Sequence, residues 1–289
     1  MRRKLKSMYT TLIEPAQLAA LMGEPKCAIL DCRFELAQPA WGERAYAAGH
    51  IPHALYAHLD RDLAGAISAR SGRHPLPQVE AWSATLGGWG IDDHVQVIAY
   101  DQGNGAYAAR AWWLLRWVGH EQVAVLNGGY AAWLAAGLPV STEVTSRPPR
   151  QFTAQMSAAD TLGSDAVRAC LAAREILLVD ARGAERFAGE NETIDAVAGH
   201  VPGAVSAPFA GNLDAQGRFL DAAALRSRWR ALLGTRAPRE LVAMCGSGVT
   251  ACHNLLALEV AGLRGGRLYP GSWSEWIRDP ARPIARGSV

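Results

Sequence analysis

The sequence contains no run of about 18 apolar residues, which excludes a membrane-spanning helix on length alone. It also lacks an excess of charge: 29 basic against 27 acidic side chains leave a formal net charge of +2. Neither nucleic acid nor an anionic membrane is therefore expected as a partner. The 5 cysteines are odd in number and irregularly spaced, at Cys27, Cys32, Cys170, Cys245 and Cys252. That pattern argues against a disulfide framework and for a reducing compartment, the cytoplasm by default, where a free thiol can do chemistry. Paired zinc-ligand spacing is missing around Cys245, Cys252 and His253, so no metal is expected, and no other cofactor. The basic start, Met1-Arg2-Arg3-Lys4-Leu5-Lys6-Ser7, is followed by no apolar stretch and does not read as a secretory signal. It reads as a disordered extension, with Met8 as an alternative start.

What is present is an ordinary globular composition, 49% hydrophobic and 19% charged over 289 residues. That length is generous for one core and comfortable for two. The sequence is in fact written twice. The first half carries Leu30-Asp31-Cys32-Arg33, Gly49-His50-Ile51-Pro52, Val97-Ile98-Ala99-Tyr100-Asp101 and Leu126-Asn127-Gly128-Gly129-Tyr130 with Trp133. The second carries Val179-Asp180-Ala181-Arg182, Gly199-His200-Val201-Pro202, Leu241-Val242-Ala243-Met244-Cys245 and Tyr269-Pro270-Gly271-Ser272-Trp273 with Trp276. Four signatures in one order at a nearly constant offset imply a tandem duplication. We read an N-terminal domain over 9–138, a linker over 139–157 and a C-terminal domain over 158–289. The linker is polar and proline-rich, which denies it regular hydrogen bonding and predicts an extended path over the surface.

Short apolar, β-branched runs alternate with amphipathic stretches in each half. Val95–Tyr100, Val123–Leu126, Ile176–Val179, Val205–Pro208, Leu241–Met244 and Arg267–Tyr269 read as strands. Gly105–Val118, Asp221–Leu233 and Val249–Ala261 read as helices, Asp221 suiting the positive end of the second. The alternation predicts α/β domains, each with a mainly parallel sheet flanked by helices.

In such folds ligands bind where a strand ends and a helix begins. Cys245 stands there, in Cys245-Gly246-Ser247-Gly248-Val249-Thr250. Gly246 and Gly248 allow the turn to curl around the sulfur. A curled loop at a helix N-terminus points N–H groups inward and favours a thiolate. Ser247 and Thr250 add hydroxyl donors. A buried cysteine ending a strand is more often inert packing, and Cys27, Cys32, Cys170 and Cys252, which carry no motif, are read so. The flanking Gly-Ser-Gly reverses that reading for Cys245. Asp101 holds the equivalent place in the first half; a carboxylate there cannot act as a sulfur nucleophile, so that copy is read as catalytically silent.

The loop, the Gly-His-(Ile/Val)-Pro and Asp-x-Arg segments and the tandem layout together resemble the rhodanese family, from about Thr11 to Ile284. Within it, Cys-Gly-Ser-Gly-Val-Thr is similar to the loop of the 3-mercaptopyruvate sulfurtransferases. Thiosulfate-preferring members carry basic residues where Gly246 and Ser247 stand here. The resemblance implies two tandem rhodanese-like domains and an enzyme that moves a sulfane sulfur from 3-mercaptopyruvate to a thiol such as thioredoxin, or to cyanide, through a persulfide on Cys245. It implies Arg186 as ligand of the donor's carboxylate, with Gly246, Gly248, Val249 and Thr250 around the sulfur. A guanidinium suits bidentate carboxylate recognition, whereas alone Arg186 would read as a surface pairing with Glu185 or Glu190. It further implies a relay of Asp60, His74 and Ser247, lent in part by the first copy, and histidine titrates in the range that thiol chemistry needs. Asp60 and His74 also fit plain solvated loop charges. Family members often have a second substrate arginine about nine residues after the first. The stretch Glu190-Asn191-Glu192-Thr193-Ile194-Asp195 has none, and Arg110 could replace it only if the domains face each other. His50 and His200 recur in both copies, the silent one included, so their expected role is structural; Arg182 is likewise expected beside its strand end.

Three other readings compete. A thiosulfate:cyanide sulfurtransferase uses the same cysteine. A cysteine phosphatase needs an arginine six positions after its cysteine, where this chain has Ala251, and a loop one residue longer. A non-catalytic sulfur carrier or partner-binding module would not need Arg186 beside an intact loop.

Overall fold

The computed structural model describes residues 8–156 and 160–287; the N-terminal extension read above lies outside the described residues. Contacts divide the chain into two compact units. One comprises the described residues up to Asp62 together with Gln78–Met156. The other comprises Leu63–Pro77 and the described residues beyond 157. The segment Leu63–Pro77, placed by sequence inside the first domain, thus belongs by its contacts to the second.

The first unit runs β1 (Leu12–Ile13), α1 (Pro15–Ala19), β2 (Cys27–Asp31), α2 (Trp41–Ala48), β3 (Ala54–Tyr56), α3 (Val79–Gly88), β4 (Gln96–Tyr100), α4 (Ala108–Trp117), β5 (Val123–Leu126) and α5 (Gly129–Ala135). Its strands form a parallel sheet in the order β1-β5-β4-β2-β3. Strand β2 is buried along its whole length, as expected where helices cover both faces of a parallel sheet. Ile29, Ile98, Tyr100, Leu126 and Trp133 pack into one core cluster.

The second unit runs α6 (Ser164–Ala172), β6 (Leu177–Asp180), α7 (Ala184–Ala188), β7 (Val205–Ser206), α8 (Ala222–Leu233), β8 (Leu241–Met244), α9 (Thr250–Val260), β9 (Arg267–Leu268) and α10 (Ser272–Trp276). Its strands are parallel in the order β7-β6-β8-β9, which repeats β3-β2-β4-β5 of the first sheet. The place of β1 is taken by a single parallel bridge from Thr161 to Leu268. Asp221 caps α8, its Oδ1 accepting the Ala224 N–H at 2.8 Å, one of the four donors a helix start leaves open. Among the described residues no helix is long and apolar enough to cross a membrane.

The duplicated motifs build the same scaffold twice. Asp31 holds Arg33 by three side-chain hydrogen bonds and Asp180 holds Arg182 likewise, each arginine also donating to the carbonyl of Gly49 or Gly199. His50 stacks on Tyr46 and hydrogen-bonds its carbonyl; His200 stacks on Phe187 and does the same. These groups are buried, and their hydrogen bonds tie each α2- or α7-type helix to its sheet; His50 Nε2 also meets the Glu143 carbonyl at 3.0 Å, whereas His200 Nε2 has no partner among the described residues. The stretch after Leu138 is mostly without helix or strand and is held along the first unit, Ser141 bridging His50 and Arg150 donating its N–H to the Gly87 carbonyl.

Candidate active site

Strand β8 ends at Met244, and the chain then turns sharply, because Gly248 adopts φ +78° and a Cβ on it would collide with the carbonyl oxygen of Pro270. Only glycine passes there. The loop is pinned from below: Trp273 N–H donates to the Cys245 carbonyl at 3.0 Å and Ser274 N–H to that of Gly246 at 2.9 Å. Ser272, itself left-handed at φ +53°, accepts the Cys245 N–H at 3.1 Å and donates to the Tyr269 carbonyl at 2.9 Å. Cys245 is consequently fixed, 2% exposed, with its Sγ accepting N–H groups from Ser247 at 3.4 Å and Gly248 at 3.1 Å. Val249 is the buried N-cap of α9 and Thr250 its first residue, so the helix start follows the sulfur directly. Cys252, one turn along, spends its thiol on the Gly248 carbonyl.

The first copy displays the same cradle with a carboxylate in it. Asp101 follows β4 and accepts N–H groups from Gly103 and Gly105 on Oδ1, and from Tyr107 and Ala108 on Oδ2, at 2.9–3.2 Å. Burial still pushes its carboxyl above the usual range, against those four donors.

The segment Leu63–Pro77 brings two side chains to the Cys245 loop. Gly72 lies flush on Gly271, where a Cβ would stand 2.5 Å from its carbonyl oxygen, and Arg73 N–H donates to Ser274 Oγ at 3.1 Å. So anchored, His74 sets its Nδ1 2.7 Å from Ser247 Oγ, both residues being buried. Arg73 forms an ion pair with Asp195.

Arg186, on α7, turns toward the same place. Its Nε and Nη2 bind Glu192 at 3.1 and 2.9 Å, and its Nη2 also binds Asp195 at 3.0 Å. The salt partners are thus Glu192 and Asp195, not Glu185 or Glu190. A Cβ on Gly246 would stand 2.9 Å from Arg73 Nη2, 3.6 Å from Arg186 Nη2 and 3.7 Å from Asp195 Oδ2; two guanidiniums and a carboxylate therefore converge beside the cysteine. Burial raises the Asp195 carboxyl despite Arg73 and Arg186. Burial acts on Glu192 too, but the bonds from Arg186 and from the N–H groups of Asp195 and Ile194 bring its carboxyl below the usual range.

Of the residues singled out by sequence, Cys245, Gly246, Ser247, Gly248, Val249, Thr250, His74 and Arg186 come together in the second unit. Asp60 is exposed in the first unit, its N–H bonded to His58 Nδ1 at 3.1 Å. Arg110 is wholly buried on α4. The second arginine at the loop is Arg73, which sequence reasoning missed because it looked to the stretch after Arg186 and to Arg110. Its adjacency to His74 was the available signal.

The sequence profile described as the Rhodanese-like domain matches residues 14–136 and 164–279. The chain belongs to the rhodanese family. Within the family it is 49% identical over 278 residues to a Pseudomonas aeruginosa protein named "Probable 3-mercaptopyruvate sulfurtransferase", covering 96% of this chain and 98% of that one. It is 40% identical over 291 residues to a Mycobacterium tuberculosis protein named "Putative thiosulfate sulfurtransferase SseB", covering 96% of this chain and 98% of that one. The solved structure of SseA from Escherichia coli, described as a rhodanese fold of 3-mercaptopyruvate sulfotransferases, superposes with a TM-score of 0.77 at 30% identity, covering 92% of this chain and all of that one.

Proposed function

We propose that the chain is a sulfurtransferase that takes sulfur from 3-mercaptopyruvate and passes it to a thiol. Rhodanese relatives carry names for either donor, so the choice rests on the site. The observation that carries it is the 2.7 Å contact between His74 and Ser247, next to the cysteine that accepts two loop N–H groups. A mercaptan donor brings a proton that has to leave its sulfur, and a buried hydroxyl–imidazole pair can receive and return it. Thiosulfate brings no such proton.

The cycle is covalent catalysis in two steps. The Cys245 thiolate attacks the donor sulfur, an S–S bond forms, and the donor C–S bond breaks with its electron pair leaving as the enolate of pyruvate. The donor's thiol proton passes by way of Ser247 and His74 to the enolate carbon, so pyruvate departs and a persulfide anion remains. Asp101 in the silent copy supports a specific place for the outer sulfur: its Oδ2 is met by the N–H groups at the start of α4, and the corresponding groups of Val249 and Thr250 start α9. An acceptor thiolate, such as that of thioredoxin, then attacks the outer sulfur and regenerates Cys245. Arg186 and Arg73 hold the donor carboxylate. No cofactor enters this cycle. The five cysteines, none of them in a disulfide among the described residues, accord with a cytoplasmic setting.

The test is intact-mass measurement after incubation with 3-mercaptopyruvate, with turnover followed as pyruvate release. Wild type is expected to gain one sulfur and Cys245→Ser none; a wild-type protein that gains none ends the proposal.

A further inference from the structure

Both arginines at the loop are tied to carboxylates, which is unusual for a site meant to attract an anion. Arg73 and Arg186 share Asp195, Arg186 also binds Glu192, and Arg182 joins Glu192 at 3.4 Å and Asp180 at 2.7 Å. Among the described residues this network holds three guanidiniums and three carboxylates, so it carries no net charge. The carboxylates are deeply buried, Asp195 at 3% and Glu192 at 2% side-chain exposure, while the two arginines nearest the loop keep 24% and 22%. The network still offers hydrogen-bond donors: Arg73 Nε is buried with no partner among the described residues, and Arg73 Nη2 lies over Gly246. Directional donors without surplus charge suit one carboxylate better than a compact dianion. Coulomb attraction grows with the ligand's charge, whereas two hydrogen bonds to one carboxylate do not need a net positive field.

Of the three carboxylates, Asp195 alone contacts both loop arginines and reaches the Gly246 surface. We infer that Asp195 is the residue that sets donor selectivity, cancelling one of the two positive charges beside Cys245 so that a monoanionic thiol is taken and dianionic thiosulfate is disfavoured. This rests on the proposed sulfur transfer and adds a cause for its donor preference. Both donors react by attack of the Cys245 thiolate on the sulfur to be transferred: with 3-mercaptopyruvate the C–S bond breaks and its electron pair leaves on the enolate of pyruvate, and with thiosulfate the S–S bond breaks and its electron pair leaves on sulfite. The chemistry of the cysteine is unchanged, and only the charge of the bound anion differs. Removing the Asp195 charge leaves the network at +1, and the gain in attraction is about twice as large for a dianion as for a monoanion.

The experiment compares kcat/KM for thiosulfate and for 3-mercaptopyruvate in wild type, Asp195→Asn, Asp195→Ser and Asp195→Glu, with a thermal melt of each. The thiosulfate-to-mercaptopyruvate ratio is expected to rise by about tenfold or more in the Asn and Ser variants, chiefly through a lower KM for thiosulfate. The Glu variant, which keeps the charge, is expected to stay near the wild-type ratio. Folded neutral variants whose ratio stays within about twofold of wild type overturn the inference; so does a Glu variant that shifts as far as Asn. If neutral variants lose sulfur uptake from both donors, or do not fold, Asp195 is a scaffold for the arginines and the inference fails. A wild-type protein that accepts sulfur from neither donor instead removes the proposed function itself, so the two failures are distinguishable.

Discussion

His74 Nδ1 and Ser247 Oγ stand 2.7 Å apart although 173 residues separate them in the chain. The contact joins an imidazole ring to the hydroxyl of a residue whose backbone N–H points at the Cys245 sulfur. In the proposed cycle, proton handling and sulfur handling share one residue, Ser247, and can be separated by the choice of donor.

His74→Ala is expected to lower kcat with 3-mercaptopyruvate by about 10²–10³-fold, the usual worth of a positioned acid–base group. With thiosulfate, which brings no thiol proton, the loss is expected to stay below about tenfold. Parallel steady-state assays with the two donors check this; equal losses would exclude His74 from proton transfer.

Gly248→Ala puts a side chain at φ +78° and against the Pro270 carbonyl. A cost of about 1–3 kcal/mol in stability is expected for the strained backbone alone. Because Gly248 N–H is one of the two donors to the sulfur, persulfide formation should slow markedly as well. Urea unfolding and single-turnover mass spectrometry report the two effects separately.

Asp101→Ala removes the acceptor of four N–H groups, those of Gly105 and Ala108 buried and those of Gly103 and Tyr107 partly so. The first unit is expected to lose about 2–5 kcal/mol of stability, since unpaired buried donors cost more than a hydrogen bond gains. Asp101→Asn, which keeps one good acceptor oxygen, should lose less. Denaturant melts of the three proteins decide the order.

Burial pushes the Cys27 thiol up to about 11, from an ordinary value of about 8.5 in an unfolded chain. A group whose value is raised on folding contributes stability below its unfolded value and loses it as pH climbs through the folded one. Cys27 should therefore destabilise the protein progressively between about pH 8.5 and 11, by up to about 3 kcal/mol. Melting temperatures of wild type and Cys27→Ala should converge or cross over that window; parallel curves would mean that the thiol does not titrate there.

The duplicated motifs made most of the fold legible, because each repeated signature sits at a strand end where its side chains are buried. Val123–Leu126 and Leu241–Met244 are strands over the stretches that β-branched and apolar runs imply. The helix read over Gly105–Val118 begins instead at Ala108, because the backbone between Gly103 and Ala108 is drawn around the Asp101 carboxylate. Cys245 was legible from its glycines, and Arg186 from family resemblance. Arg73 was not. It reaches the loop through packing of Gly72 on Gly271, a contact between residues about 200 apart that no local pattern records.

The membership of Leu63–Pro77 in the second unit has a consequence for biosynthesis. Arg73 and His74 leave the ribosome long before β8 and α9 have been made, and chains otherwise fold from the N-terminal domain onward as it emerges. The first unit can gather most of its sheet early, but this stretch must wait, extended, for a host that is still being translated. Arg73 and His74 are thus placed beside the Cys245 loop only when synthesis is nearly finished, and a nascent or truncated chain lacks the assembled loop.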